Sequence, residues 1–215
     1  MKTAIVTGAS QGLGNYIANT FSGAGWKVIG IGRSGRPNTL ESAIQYEQFD
    51  ASDSDVCTAF FEKHKSELSK DEVCLVNNAG SYVSGGIVET LAEEYRRQMD
   101  SNYFSAVNMT KGLVGTVSKA KIINVVSAGA LTSYAKQSAY GAAKAAERHF
   151  FQSIQKELDR NKYQITNLYP GDIASHGPSE VAAIDPKDLA NLITEIAESK
   201  RTYVITDVTL YPTLG

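Results

Sequence analysis

Apolar residues along the chain gather in short β-branched runs at 3–7, 27–31, 44–49, 73–77, 121–127, 164–169 and 203–210, the third being the weakest. Several are apolar at successive positions instead of alternate ones. Such runs suit strands covered on both faces, as in a parallel sheet flanked by helices. Helical patterns fill the intervals. Thr90-Leu91-Ala92-Glu93 reads as a capping box, and Asp185-Pro186 as an N-cap with proline at the first helical position. Beyond it Leu189, Leu192, Ile193 and Ile196 form one apolar stripe. Strand-first alternation with no repeat and no Pro- or Ser-rich linker predicts a doubly wound α/β sheet of about seven mostly parallel strands, in one domain over 1–215.

Charge narrows the partners. With 21 Lys+Arg against 23 Asp+Glu and a net charge of −2, the chain lacks the basic excess of an electrostatic nucleic-acid binder. No apolar run approaches the ~18 residues of a membrane span, and Ala4-Ile5-Val6 is too short for a signal-peptide core. Cys57 and Cys74 form no ligand pair, so free buried thiols in a reducing, cytoplasmic setting are expected. His64, His149 and His176 are scattered, without carboxylate companions at ligand spacing, and neither a metal site nor a catalytic triad is expected.

The first strand is followed by Thr7-Gly8-Ala9-Ser10-Gln11-Gly12-Leu13-Gly14 and then a helix. Glycines allow a sharp turn and a close approach to a pyrophosphate, and the helix start supplies amide donors and a positive dipole. Alone, this is also how a tight turn without a ligand looks. Context comes from Arg33-Ser34, roughly 20 positions on, where dinucleotide folds read the adenosine ribose. An acidic residue there would repel a 2′-phosphate, whereas Arg33 offers a charged donor fork, so NADP(H) is expected over NAD(H). Asp50 could accept from the adenine amino group; its rival role is helix capping, for which Asp53 is better placed. Asn77-Asn78-Ala79-Gly80 closes the fourth strand with small residues that would let a cofactor pass.

Tyr140-Gly141-Ala142-Ala143-Lys144 puts a phenol and an ammonium on one helix face. A free phenol titrates near ~10, and a nearby cation favours the phenolate, which suits such a pair to proton exchange with an alkoxide. Ser127 ends the fifth strand, where ligands of open α/β sheets bind, and its hydroxyl can donate to a carbonyl oxygen.

These motifs, taken in order, resemble the short-chain dehydrogenase/reductase family over nearly the whole chain. The TGxxxGxG turn is 7–14, the NNAG is 77–80, the Ser and YxxxK are Ser127, Tyr140 and Lys144, and a later Pro-Gly with its hydroxyl residue is Pro170, Gly171 and Ser175. The resemblance implies a Rossmann-type fold and a hydride transfer between nicotinamide and a small-molecule carbonyl or alcohol. Tyr140 would be the general acid/base, Ser127 would polarise the carbonyl, and Lys144 would bind the nicotinamide ribose and favour the phenolate. Asn102 would be the Asn of a proton relay, although Asn108 lies near it in sequence. Gly8, Ser10, Gln11, Gly12, Leu13, Gly14, Asn78, Ala79 and Gly80 would line the cofactor, with Pro170, Gly171, Ile173 and Ser175 towards the carboxamide. The family often pairs two long helices, implying a homodimer or homotetramer to which Phe150 and Phe151 would contribute.

Departures from the family pattern shape the expectation. Gln11 stands where many NADP(H)-preferring relatives carry a basic residue, leaving Arg33 to supply the selectivity, and Val126-Ser127 replaces a Ser-Ser doublet. The substrate segment 172–185 is short and the ending lacks an Asp-Gly-Gly, so a permissive carbonyl reductase with an open site is expected. Substrate contacts would come from 81–86, 128–137 and the stretch after Gly171, none of which names a substrate. The alternative is a non-catalytic NADP(H)-binding regulator, which has no physical use for Ser127, Tyr140 and Lys144 together.

Overall fold

The computed structural model describes residues 1–174, 182–200 and 202–213. Strands β1 (Lys2–Thr7), β2 (Lys27–Gly32), β3 (Gln45–Gln48), β4 (Glu72–Asn77), β5 (Ala120–Val125), β6 (Tyr163–Pro170) and β7 (Asp207–Leu210) form one seven-stranded sheet in the order β3-β2-β1-β4-β5-β6-β7. Every pairing is parallel.

Continuous apolar runs are what this sheet requires, because successive side chains enter opposite cores. Ala4, Val6, Val28, Cys74, Val76 and Ile123 face helices α1 (Gly12–Gly23) and α6 (Pro186–Glu198). Ile5, Ile29, Ile31, Leu75, Ile122 and Ile165 face α2 (Ser54–Leu68), α4 (Ser105–Thr116) and α5 (Ser138–Glu157). In the α6 stripe, Leu189 and Ile193 are fully buried and Leu192 and Ile196 half-buried. Truncating a buried Ile or Leu to Ala costs about 2–5 kcal/mol, so the two layers carry much of the stability. Among the described residues no helix is long and apolar enough to cross a membrane.

Caps anticipated at Asp53 and Asp185 form: Asp53 accepts from the amides of Asp55 and Val56, and Asp185 from that of Lys187. The capping box at Thr90 does not. Thr90 donates both its amide and its hydroxyl back to the Gly86 carbonyl, and α3 (Ala92–Gln98) starts after Leu91 with no side-chain cap. Strand β7 is shorter than its apolar run. The Ile205 carbonyl is taken by the Thr166 hydroxyl at 2.6 Å, and laddering with β6 starts only at Asp207. Phe151 is fully buried in the core beneath α5, which removes it from any interface; Phe150 packs half-buried beside it.

The chain leaves β1 towards β2 on one side and reaches β4 on the other. This reversal of strand order opens a crevice beyond the carboxyl ends of β1 and β4.

Candidate active site

The crevice is a cleft of about 650 Å³. Its floor is fixed by Thr7, whose hydroxyl accepts from the amides of Asn78 (3.0 Å) and Ala79 (2.9 Å), while Asn78 Nδ2 donates to the Thr7 carbonyl at 3.0 Å. The ends of β1 and β4 are thereby tied together. Gly8 turns the chain at φ +70°, and a Cβ there would lie 2.9 Å from Asn78 Nδ2, so glycine is required by conformation and by space. Helix α1 begins at Gly12 with Gln11 before it, no side-chain cap and no acidic residue in its first turn. Its first amides therefore lack a side-chain acceptor beside the cleft wall formed by Gly12, Leu13 and Gly14.

At the β2 end stand Arg33 and Ser34, facing Asp50. Arg33 is more than half exposed, its Nη1 3.9 Å from Asp50 Oδ2. Asp50 Oδ1 already accepts from the Ser52 amide at 2.9 Å and the Ser52 hydroxyl at 2.8 Å, so one of its oxygens is committed to the turn before α2. Among the described residues the guanidinium is held by this loose, solvated pair.

The other end of the cleft gathers Asn102, Ser127, Tyr140 and Lys144. Ser127 lies just past β5 and caps the short turn Ala128–Ala130, its Oγ accepting from the Gly129 amide at 3.0 Å. That bond orients the hydroxyl and leaves its hydrogen to donate. A Cβ on Gly129 would lie 3.3 Å from Ser127 Oγ and 3.6 Å from Tyr140 Cε1, so the two side chains border the same spot. Tyr82 packs edge-on against the Tyr140 ring, centroids 5.1 Å apart.

Lys144 is buried, its Nζ donating to the Val125 carbonyl at 3.1 Å and to Glu147 Oε2 at 2.8 Å. Burial alone would lower its pKa, but the Glu147 carboxylate, and after it Tyr140, outweigh that effect and hold it above the usual lysine value. Burial pushes the Glu147 carboxyl up to about 6 against the opposing pull of Lys144.

Asn102 sits in a π-helical turn, Met99–Phe104, inserted between α3 and α4. Such turns widen a helix by a residue and are frequent at functional sites. Its Nδ2 donates to the carbonyls of Ser81 (2.9 Å) and Gln98 (3.0 Å), while Oδ1 is buried with no partner among the described residues. Gly80 makes room for it: a Cβ there would be 2.5 Å from that Oδ1 and 3.9 Å from Lys144 Nζ.

Every site residue singled out in the sequence borders this one cleft, Gly8, Ser10, Ala79, Pro170, Gly171 and Ile173 included, except Ser175, which lies outside the described residues together with His176. A parallel bridge joins Ile173 to Ile184, at the two ends of the stretch 172–185. His64 does have carboxylate neighbours, Glu67 at 3.9 Å one turn along the same helix and Glu47 at 3.3 Å brought there by folding, but it packs on Phe60 away from the cleft. Tyr82 falls in the 81–86 stretch expected to contact substrate but is not singled out by any local pattern, and Glu147 goes unremarked although its i, i+3 spacing from Lys144 is a usable signal.

A family model described as short chain dehydrogenase matches residues 2–209. The chain is similar to an uncharacterized oxidoreductase of Staphylococcus saprophyticus (27% identical, covering 98% of this chain and 97% of the relative). It is also similar to a serine 3-dehydrogenase of Agrobacterium fabrum (29%, 98% and 93%). Among solved structures, a short-chain dehydrogenase/reductase from Vibrio parahaemolyticus superposes with a TM-score of 0.84 at 25% identity, covering 98% of this chain and 100% of that one. An alcohol dehydrogenase from Thermococcus sibiricus, complexed with 5-hydroxy-NADP, superposes at 0.86 with 19% identity, covering 98% and 96%, and so shares the fold.

Proposed function

This chain belongs to the short-chain dehydrogenase family of oxidoreductases, and from that premise we propose that it is an NADP(H)-dependent carbonyl reductase acting on small molecules through Tyr140. The observation that carries the reading is convergence. Ser127, Tyr140, Lys144 and the partnerless Asn102 Oδ1 border the same cleft as the uncapped start of α1 and Arg33.

The residues present fit a dinucleotide. Free amides at the start of α1 suit a pyrophosphate, the Thr7–Asn78 tie and Gly80 keep the floor low, and Arg33 can leave its loose contact with Asp50 for a 2′-phosphate. When bound, the nicotinamide supplies the hydride. The chain's own groups manage the oxygen. Ser127, oriented by the Gly129 amide, donates to the carbonyl oxygen, and Tyr140 delivers the proton as negative charge develops there. Lys144 stands one helical turn behind Tyr140 and supplies positive charge. Asn102 Oδ1, beside Gly80 and near Lys144, offers an acceptor for a water that replaces the proton.

NADPH oxidation against a panel of aldehydes, ketones, diketones and quinones tests the assignment, with Tyr140→Phe as control. General acid catalysis contributes about 10²–10⁴-fold, and the variant should lose that much in kcat for every accepted substrate. Equal rates in the two proteins would refute the role of Tyr140.

A further inference from the structure

We propose that Glu147 is the positioning residue of the site, the buried counter-ion that keeps Lys144 charged and draws its Nζ back against β5. The inference rests on the proposed function for its catalytic meaning, but its geometry stands independently. Lys144 and Glu147 are 4% and 1% exposed, and Nζ has two acceptors, the Val125 carbonyl and the Glu147 carboxylate. A carbonyl by itself does not neutralise an ammonium removed from water, and a buried lysine without a counter-charge loses its proton readily. The i, i+3 spacing on α5 places the carboxylate on the side of Nζ away from Tyr140, which lies one turn in the other direction. Nζ is thus bonded to the carboxylate and the Val125 carbonyl, and Tyr140 acts on it through charge.

With Lys144 in place, removing Glu147 alone would leave a buried charge without its partner, so the carboxylate also contributes to stability. What the carboxylate does is fix the charge and the direction of the neighbouring ammonium. The charges acting on Lys144 are those of Glu147 and Tyr140, and the charge acting on Glu147 is that of Lys144. The elements packed against α5 contribute other ionisable residues. Asp100 and Tyr103 lie on the π-helical turn, Tyr95 on α3 with the surface pairs Glu93–Arg96 and Glu94–Arg97, Lys111 on α4, and Tyr163 and Tyr169 on β6. Tyr95 is bonded to Ser138 and Tyr169 to Asp207; Asp100 and Lys111 are exposed, and Tyr103 stacks on Phe150. Glu147 is therefore the carboxylate that faces Lys144, and it makes Lys144 hold its proton more firmly.

Glu147→Gln keeps the volume and removes the charge. With lysines labelled at the ε-carbon and the Lys144 resonance assigned through Lys144→Arg, NMR titration should show Lys144 still protonated at about pH 10 in the wild type and titrating at least one unit lower in the variant. The alkaline limb of kcat/KM for carbonyl reduction should move down in the same direction, since Lys144 gives up its charge at a lower pH. An unmoved Lys144 titration, or a uniform loss of activity with the limb in place, would overturn the proposal. Where the Gln variant does not fold, Glu147→Met, apolar and similar in size, carries the same test. Failure of both to fold would assign Glu147 to stability and overturn it equally. A wild type that reduces nothing in the panel would refute the proposed function, and the Lys144 titration would still decide on Glu147.

Discussion

Arg33 shows what a single residue discloses before and after folding. Its position after the second strand makes it the expected reader of the adenosine ribose, and the structure adds that it is more than half exposed, with Asp50 at 3.9 Å. Such a guanidinium is ready to exchange a weak partner for a dianion. On the proposed function, Arg33→Ala should raise KM for NADPH about ten-fold or more and leave KM for NADH nearly unchanged, read from kcat/KM with each cofactor. An unchanged preference would remove Arg33 from the phosphate site. Lys144 and Glu147 mark the limit of reading at this scale. Tyr140, Lys144 and Glu147 share a helix face that spacing alone reveals, but the burial that turns an ordinary i, i+3 pair into a counter-ion arrangement comes from β5 and the π-helical turn, remote in sequence.

At the scale of elements, local chemistry predicts a helix start only when nothing else competes for the cap. Asp53 and Asp185 hold their first-turn amides, while the Thr90 hydroxyl is claimed by Gly86. Asp53→Ala should lower stability by about 1 kcal/mol, measurable by urea denaturation, since it strips two amides at the head of α2 of their acceptor. Thr90→Ala has no cap to lose and should fall well below that figure. The two asparagines that sequence left unseparated diverge for a similar reason. Asn108 Nδ2 is bound to the carbonyls of Ala51 (3.2 Å) and Ser52 (2.9 Å), tying α4 to the turn before α2, whereas Asn102 carries its free Oδ1 beside Gly80. The π-helical turn that aims Asn102 has no signature in apolar periodicity, because one extra residue in a turn shifts the register without changing composition.

Across the whole molecule, both thiols are sealed in opposite layers of the sandwich, Cys74 of β4 on the side of α1 and α6, and Cys57 of α2 against Met109 of α4. Burial pushes each thiol from 9.0 up to about 12. In the unfolded chain they ionise near their ordinary value, so from about pH 9 upwards the folded state binds more protons than the unfolded one, and stability falls as pH rises. Calorimetry from pH 7 to about pH 10.5 should show the Tm decline, with Cys74→Ala declining less steeply. A thiol reagent should find neither cysteine in the native protein and both after unfolding. A row of side chains likewise belongs to the whole sheet. Asn77 donates to Asn124 at 2.9 Å, Asn124 to Asn167 at 2.8 Å, and Asn167 to Asp207 at 3.4 Å, crossing β4 to β7 in register. Each asparagine is visible in the sequence, yet the row exists only once four strands align. By itself the sequence determined the doubly wound class, the glycine turn and the Tyr140–Lys144 spacing, because these follow from periodicity and from neighbours within a few residues. Tertiary structure alone decided that they meet in one cleft, that Asn102 and not Asn108 faces it, and that Lys144 carries a buried counter-ion. Those outcomes depend on strand order, desolvation and cross-strand register, which arise only when distant segments pack.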